Sequence, residues 1–423
     1  MKLKSKIYID RLLGTPIVFI FNYLSLFFLH FDQEKETDNS KIKRIAICKF
    51  MGMGSIIQST PLLMTLRNNF PKAEITFITV PKNYPLLSIF PFIDRIVLVN
   101  DKSAIELIIT TLKSLFQLWI NRTDVFIDLE IYSYISTIFT VLSFPKYKIG
   151  FYRKESRIQL GVYSKMIYFN TKAPVKNIYL QAAYLLNCKT KVVELYDYKN
   201  LFENGLNTFS AKLGELVELH KKYIVINPNA SDLRIERKWA LDNFSELINI
   251  IMQTYPDEQI VLTGSEDEKD YVEKLYNGIK KEYHSRVINS SGKLTLNELI
   301  AVIRNSRLMI TNDSGPMHIA FALKKETIAL FGPCSPIEYM TQKNVCFVYK
   351  NIYCSPCVHH FSISPCNGDN QCMKLIQTNE VMEILNKIYN NEIKWNSDSF
   401  GNGILYNLTS TEKPFGIVDR KTK

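Results

Sequence analysis

The sequence has 423 residues, too many for one domain of average size and enough for two. Hydrophobic residues make up 46% and charged residues 22%, which excludes disordered and collagen-like chains. With 52 basic and 41 acidic side chains the net charge is +11, which favours anionic partners such as phosphates, nucleotides or acidic lipids, and eight cysteines are too few for a disulfide-built secreted scaffold.

The first feature in chain order is Leu12 to Phe31, LLGTPIVFIFNYLSLFFLHF, which carries no formal charge and follows Lys2, Lys4, Lys6 and Arg11. This pattern predicts an N-terminal membrane-associating segment, either spanning the bilayer or lying in its plane; a hydrophobic helix packed on the protein itself is the alternative. The run ends in LHFDQE, which offers no small-residue cleavage site, so it does not read as a removable leader. A hairpin or in-plane anchor keeps the rest of the chain on the cytoplasmic side. The polar stretch DQEKETDNSK then closes a segment 1–41 as a tether.

At Ile42 the pattern changes to IKRIAICKF, an apolar run rich in β-branched residues, followed by MGMGS and by IIQSTPLLMTLRNNF with helical apolar spacing. Strand, glycine turn and helix are expected there. The alternation continues through AEITFITV, IDRIVLV, a helix near Ala104 to Ile120 and DVFIDLE, so 42–205 reads as a parallel α/β domain. A second domain, 206–390, runs YIVINPNA, helix, QIVLTGS, helix, RVINSSG, helix, RLMITNDSG, helix, ETIALFGP. Its strands end in polar loops that converge in an open parallel sheet: Asn227 to Ala230, Gly264 to Glu266, Ser290 to Gly292, Asn312 to His318, and Gly332 with Pro333. Two Rossmann-like parallel-sheet domains facing a cleft are expected, with 391–423 a polar tail.

Thr311 to His318, TNDSGPMH, sets Asp313, Ser314 and Gly315 at a strand end and opens a helix under Pro316. Backbone N–H groups at such a start bind phosphate, and His318 adds a donor. The alternative is an ordinary capped helix in which Asp313 caps and His318 packs. Arg234, Arg237 and Lys238 follow the INPNAS strand end and suit a diphosphate, although a run of charge is equally a solvated loop. Glu266, after VLTGS, either accepts from ribose hydroxyls or serves the first turn of the next helix. Gly52, Gly54 and Ser55 form the N-terminal glycine turn, which lacks the third glycine of a dinucleotide fingerprint and the lysine of a P-loop.

Cys354, Cys357, Cys366 and Cys372 cluster near the end of the second domain, with His359 and His360 beside them. Their spacing suits a structural zinc, against which stand disulfides and free thiols. The basic residues are spread along the chain without an aromatic-basic stripe, so no nucleic-acid partner is expected.

Together KFMGMGSIIQSTPLLMTLRNNFP, INPNAS with RKW, VLTGSEDE, INSSGKLTLNELIAVIRNSRLMITNDSGPMHIAFAL and ALFGP resemble glycosyltransferase family 9, the ADP-heptose:lipopolysaccharide heptosyltransferases, over about Ile42 to Met373. The resemblance implies an α/β GT-B fold, a nucleotide-sugar donor in the second domain, a glycolipid acceptor in the first, and inverting transfer with no cofactor required. It also implies that Asp313, Ser314, Gly315 and His318 hold the donor diphosphate and sugar, Lys238 a donor phosphate, and Glu266 the ribose. Gly52, Gly54 and Ser55 fall in the acceptor-side loop. Where the family carries an acidic general base this chain has Ser55, so Asp128 and Glu130, at the end of DVFIDLE, are the expected substitutes. A nucleotide-sugar epimerase sharing the second-domain loops and a degenerate binder without turnover are the competing functions.

Overall fold

The computed structural model describes residues 3–28, 39–152, 158–159, 161–198, 222–230, 232–358, 364–393, 395 and 404–407. The chain forms two compact units that divide between Leu201 and Phe202, where the sequence suggests 205/206.

The N-terminal unit contains helices α1 (Leu3–Phe28), α2 (Met53–Gln58), α3 (Thr60–Asn69), α4 (Tyr84–Leu87), α5 (Ala104–Asn121), α6 (Tyr134–Leu142) and α7 (Val175–Leu185). Its strands are β1 (Arg44–Cys48), β2 (Glu74–Thr79), β3 (Arg95–Leu98), β4 (Val125–Asp128), β5 (Tyr147–Tyr152) and β6 (Lys165–Tyr168). All pair in parallel in the order β3-β2-β1-β4-β5-β6. The central strands RIAIC and VFID are buried on both faces, as parallel strands covered by helices must be. The strand order reverses between β1 and β4, which sets the loops after Cys48 and Asp128 side by side.

The hydrophobic N-terminal segment is a helix docked on its own unit. Among the described residues no helix is long and apolar enough to cross a membrane, so the spanning form of the anchor is not supported. One narrow face of α1 makes the contact. The Asp10 carboxylate accepts from the N–H groups of Tyr134 and Ile135 at 3.0 and 2.8 Å and from the Ser133 hydroxyl at 2.9 Å, capping α6 from another helix. Two turns on, Val18 is buried with Val162 and Tyr163, and Asn22 Oδ1 accepts from Gly161 N–H at 2.6 Å. Gly14 permits the approach: a Cβ there would lie 2.5 Å from Tyr134 Cβ.

The C-terminal unit contains α8 (Leu241–Thr254), α9 (Lys269–Gly278), α10 (Leu296–Asn305), α11 (Gly315–Ala322), α12 (Gln371–Lys374) and α13 (Thr378–Tyr389). Its strands are β7 (Tyr223–Asn227), β8 (Gln259–Leu262), β9 (Val287–Asn289), β10 (Leu308–Asn312), β11 (Thr327–Phe331), β12 (Val345–Tyr349) and β13 (Ile404–Asn407). They form a parallel sheet in the order β13-β12-β11-β10-β7-β8-β9, whose reversal lies between β7 and β10. Trp239 anchors the core, fully buried, with its indole N–H donating to Ile376 O at 3.0 Å and its ring 4.9 Å from Phe244. The expected polar tail is corrected in part: β13 falls within it and pairs with β12, from Cys346 opposite Ile404 to Tyr349 opposite Asn407.

Candidate functional site

At the reversal point of the N-terminal sheet the chain leaves β1 through Lys49 and turns at Gly52, whose φ of 88° is a conformation that disfavours any side chain. A Cβ there would also come within 3.1 Å of Ser55 Oγ. Gly54 is buried and Ser55 half-buried in α2. The turn is braced from the neighbouring strand. Glu130 Oε1 accepts from the N–H groups of Phe50 and Met51 at 2.7 and 2.8 Å, while Oε2 sits 3.1 Å from Lys49 Nζ. Thr79 Oγ1 donates to Lys49 O at 2.6 Å, and Asn83 Nδ2 to Phe50 O at 2.9 Å.

Asp128 and Glu130, the residues expected as substitute general bases, are both buried and hydrogen-bonded in this turn. Glu130 is buried and both its oxygens are engaged in shaping the glycine turn. Asp128 is 1% exposed and accepts from the Tyr163 hydroxyl at 2.7 Å, the Ser136 hydroxyl at 2.8 Å and Glu130 N–H at 2.9 Å. Burial pushes the Asp128 carboxyl up to about 7 against the pull of those donors, with the Glu130 charge adding to the rise. Both carboxylates hold the backbone and side chains around the glycine turn.

In the C-terminal unit the loops after β7 and β10 meet at the reversal point, where Asn312 Nδ2 donates to Pro228 O at 2.8 Å and Asn312 Oδ1 accepts from Trp239 N–H at 3.3 Å. The expected loops come together: Asn229 Nδ2 donates to Thr263 O at 2.9 Å, and Gly292 N–H to Gly264 O at 3.0 Å. Asn229 Oδ1 is buried with no hydrogen-bond partner among the described residues, an acceptor the sequence did not single out.

Asp313 does not cap α11. Its carboxylate, 4% exposed, lies 3.5 Å from Arg237 Nε. Burial alone would lower the Arg237 pKa, but Asp313 outweighs it and the guanidinium is held charged. The Ser314 side chain makes no capping bond to the helix; its hydroxyl is 3.1 Å from Thr311 Oγ1. The first turn of α11 therefore begins without a side-chain cap beside a half-buried guanidinium, an arrangement suited to an anion. Lys238 is half-buried with Nζ 4.1 Å from the centre of the Tyr271 ring, and its carbonyl is pinned by Asn370 Nδ2 at 2.8 Å. Glu266 is exposed in the first turn after Ser265, its carboxylate pressed over Gly292.

His318 is buried, with Phe321 and Tyr339 at 5.7 and 4.9 Å between ring centres. Burial lowers its pKa to about 4 despite the attraction of Asp313, so near neutral pH it is an uncharged imidazole. The positive groups at this strand end are thus Arg237, Lys238 and the helix start. Arg237 was visible only as one member of a charge run; its pairing with Asp313 joins residues distant in sequence.

The zinc expectation is not supported. Cys354, Cys357, Cys366 and Cys372 are free thiols, and among the described residues no group of three or more His, Cys, Asp or Glu is arranged to hold a metal ion. Burial, with the neighbouring thiols adding to it, pushes Cys357 up to about 11 and Cys372 up to about 12, so both are protonated near neutral pH. His359 and His360 lie outside the described residues. The segment braces the basic loop instead: Ser364 Oγ donates to Glu236 Oε1 at 2.7 Å, and Asn370 Nδ2 to Glu236 O at 3.1 Å.

Comparison with known proteins agrees with this architecture. The chain is 29% identical over 170 residues to lipooligosaccharide heptosyltransferase 2 of Campylobacter jejuni, covering 40% of this chain and 52% of that protein. The matched segment thus spans about half the length of that relative. It is 27% identical over 285 residues to lipopolysaccharide heptosyltransferase 3 of Escherichia coli K12, covering 66% of this chain and 79% of the relative. Among solved structures, E. coli ADP-heptose LPS heptosyltransferase II superposes with a TM-score of 0.64 at 20% identity, over 83% of this chain and 99% of that one, a likeness of fold. Residues 116–366 match the model of glycosyltransferase family 9 (heptosyltransferase), and the chain belongs to that family.

Proposed function

We propose that this protein transfers a heptose from ADP-heptose to a lipopolysaccharide-core or related glycolipid acceptor, with inversion and without a metal, at the cytoplasmic face of a bacterial inner membrane. The observation that carries the reading is the β10–α11 junction: a helix start without a side-chain cap, a charged Arg237 held against Asp313, and Lys238 on the adjoining loop. Family membership supports the same chemistry, and so do the heptosyltransferase names of the relatives.

In this mechanism the acceptor hydroxyl oxygen forms a bond to the anomeric carbon as the bond from that carbon to the β-phosphate oxygen breaks; the electron pair leaves with the nucleoside diphosphate, and the hydroxyl proton passes to solvent. Charge that develops on the leaving phosphate is met by Arg237, Lys238 and the first N–H groups of α11, which need little rearrangement because Asp313, Asn370 and Asn312 already hold their loops. Glu266 stands at the next strand end as the acceptor for ribose hydroxyls, and the neutral His318 packs against Phe321 and Tyr339. The acceptor binds at the glycine turn of the N-terminal unit, whose shape Glu130 and Lys49 maintain.

A second reading, a family member that binds donor without turnover, is favoured by Ser55 and by the burial of Asp128 and Glu130. One experiment separates the two. The full chain is titrated with ADP-, UDP-, GDP- and CMP-sugars in a thermal shift assay, and release of free nucleotide is followed in the presence of a glycolipid acceptor. Stabilisation by about 2.7 kcal/mol at a hundredfold excess over Kd, selective for ADP-heptose and accompanied by acceptor-dependent ADP release, is expected. Selective binding without release would establish the binder, and stabilisation by another nucleotide class alone would overturn the donor.

A further inference from the structure

Two helices of the N-terminal unit present apolar faces to solvent. In α5, the large side chains Ile105, Ile108, Leu112, Phe116, Trp119 and Ile120 recur at helical spacing and are each 44% to 71% exposed, while Leu115 and Leu118 of the opposite face are buried against the sheet. A helix apolar on both sides lacks the polar outer face that water requires. In α1, outside the narrow docked face, Leu12, Leu13, Phe19, Ile20 and Tyr23 are 54% to 58% exposed.

The two helices share α6 as a neighbour. α6 lies between the helices: its Phe139 packs in the cluster that holds Leu115 and Leu118, and its Tyr134, Ile138 and Val141 pack around Val18. Trp119 ties the end of α5 to the end of α6, its indole N–H donating to Leu142 O at 2.6 Å, with the exposed Phe144 ring 6.3 Å away. The charges around this surface are mostly of one sign. Among the described residues, Arg11, Lys113, Arg122 and Lys146 are exposed on α1, on α5 and its cap, and on the turn after α6, and Glu106 of α5 is an exposed carboxylate.

We infer that α1 and α5 together form an interfacial platform that lies in the plane of an anionic bilayer, with the apolar stripes among the acyl chains and the cations at the phosphates. Exposed tryptophan, tyrosine and phenylalanine beside lysine and arginine match such an interface, where ring bodies enter the hydrocarbon and cations meet headgroups. A second copy of the chain is disfavoured as the occupant, because a two-fold contact through this patch would bring its cations together. The inference rests on the lipid-borne acceptor proposed above and adds α5, a helix the sequence did not mark as membrane-facing.

The test is co-sedimentation of the full chain with phosphatidylcholine vesicles, with and without phosphatidylglycerol, at low and high salt. It reads neither donor binding nor transfer, so its failure is distinct from failure of the proposed reaction. Binding to the anionic vesicles, weaker in high salt, is expected. Leu112→Ser with Phe116→Ser should lower partitioning about tenfold or more with the unfolding transition unchanged, because both side chains start exposed. Phe116→Trp should retain binding, and Lys113→Glu with Arg122→Glu should abolish the preference for anionic lipid. Equal partitioning of the serine variant and the parent would overturn the inference. So would a parent that ignores vesicles and forms a dimer that the serine substitutions dissolve.

Discussion

Lys49 and Glu130, 81 positions apart in sequence, form an ion pair at 3.1 Å in which the side chains are 5% and 3% exposed. The pair closes the reversal point of the N-terminal sheet and holds the glycine turn through the N–H groups of Phe50 and Met51. Burial by itself would discharge Lys49, and the Glu130 carboxylate more than reverses that, raising the ammonium well above its ordinary pKa.

Removing one member of a buried pair leaves the other charge uncompensated. Glu130→Gln should therefore cost about 3 to 5 kcal/mol of stability in chemical denaturation. If the variant kept full stability and lost only transfer, Glu130 would be acting on substrate, and the positioning role assigned to it would be wrong.

Asp128 yields a pH signature. Its carboxyl is raised from 3.8 to about 7 in the folded chain, so the native state keeps a proton that the unfolded state has released. Its contribution to stability is fully present below about 3.8 and is lost as pH rises through about 7. The loss is on the order of a few kcal/mol, and Asp128→Asn should flatten that part of the stability profile. A profile unchanged by the substitution would exclude Asp128 as its source.

Most strands and helices were legible because β-branched apolar runs alternate with helical spacing, and both sheets follow that alternation. Hydropathy alone could not say how α1 sits, since it registers the apolar content and misses that Asp10, Gly14, Val18 and Asn22 recur on one face and dock on α6 and Gly161. Strand β13 escaped notice because ILYN is short and set in a polar stretch. Motif reading marked Asp313 and His318 but could not say that Arg237 pairs with one and that burial neutralises the other. Those properties depend on contacts across the fold, as do the hydrogen bonds that engage Asp128 and Glu130.

His318 should make its own contribution at low pH. Its pKa falls from 6.5 in the ordinary imidazole to about 4 here, because burial disfavours the cation. The stability it confers is fully present above 6.5 and is lost as pH falls through about 4. His318→Gln should shallow the acid limb of the denaturation profile. In the parent, any step in nucleotide affinity near pH 6.5 should be that of the terminal phosphate's own ionisation and should persist in His318→Gln; a step that the substitution removes would mean that a charged His318 contacts phosphate.

Arg237 and Lys238 are adjacent and should fail differently. Arg237 is 22% exposed beside a 4% exposed Asp313, so Arg237→Ala strands a buried carboxylate and should lower both thermal stability and nucleotide affinity. Lys238 is half-buried and its ammonium rests on the face of Tyr271, so Lys238→Ala should leave the unfolding transition within about 1 kcal/mol of the parent. Its effect should appear in binding, as a loss of about tenfold to a hundredfold in affinity for nucleoside diphosphates and a much smaller loss for the uncharged nucleoside. Titration calorimetry of both variants with ADP and adenosine reads the difference. Equal weakening of ADP and adenosine by Lys238→Ala would show that the lysine shapes the pocket and does not contact phosphate, removing one of the cations on which the proposed leaving-group stabilisation depends.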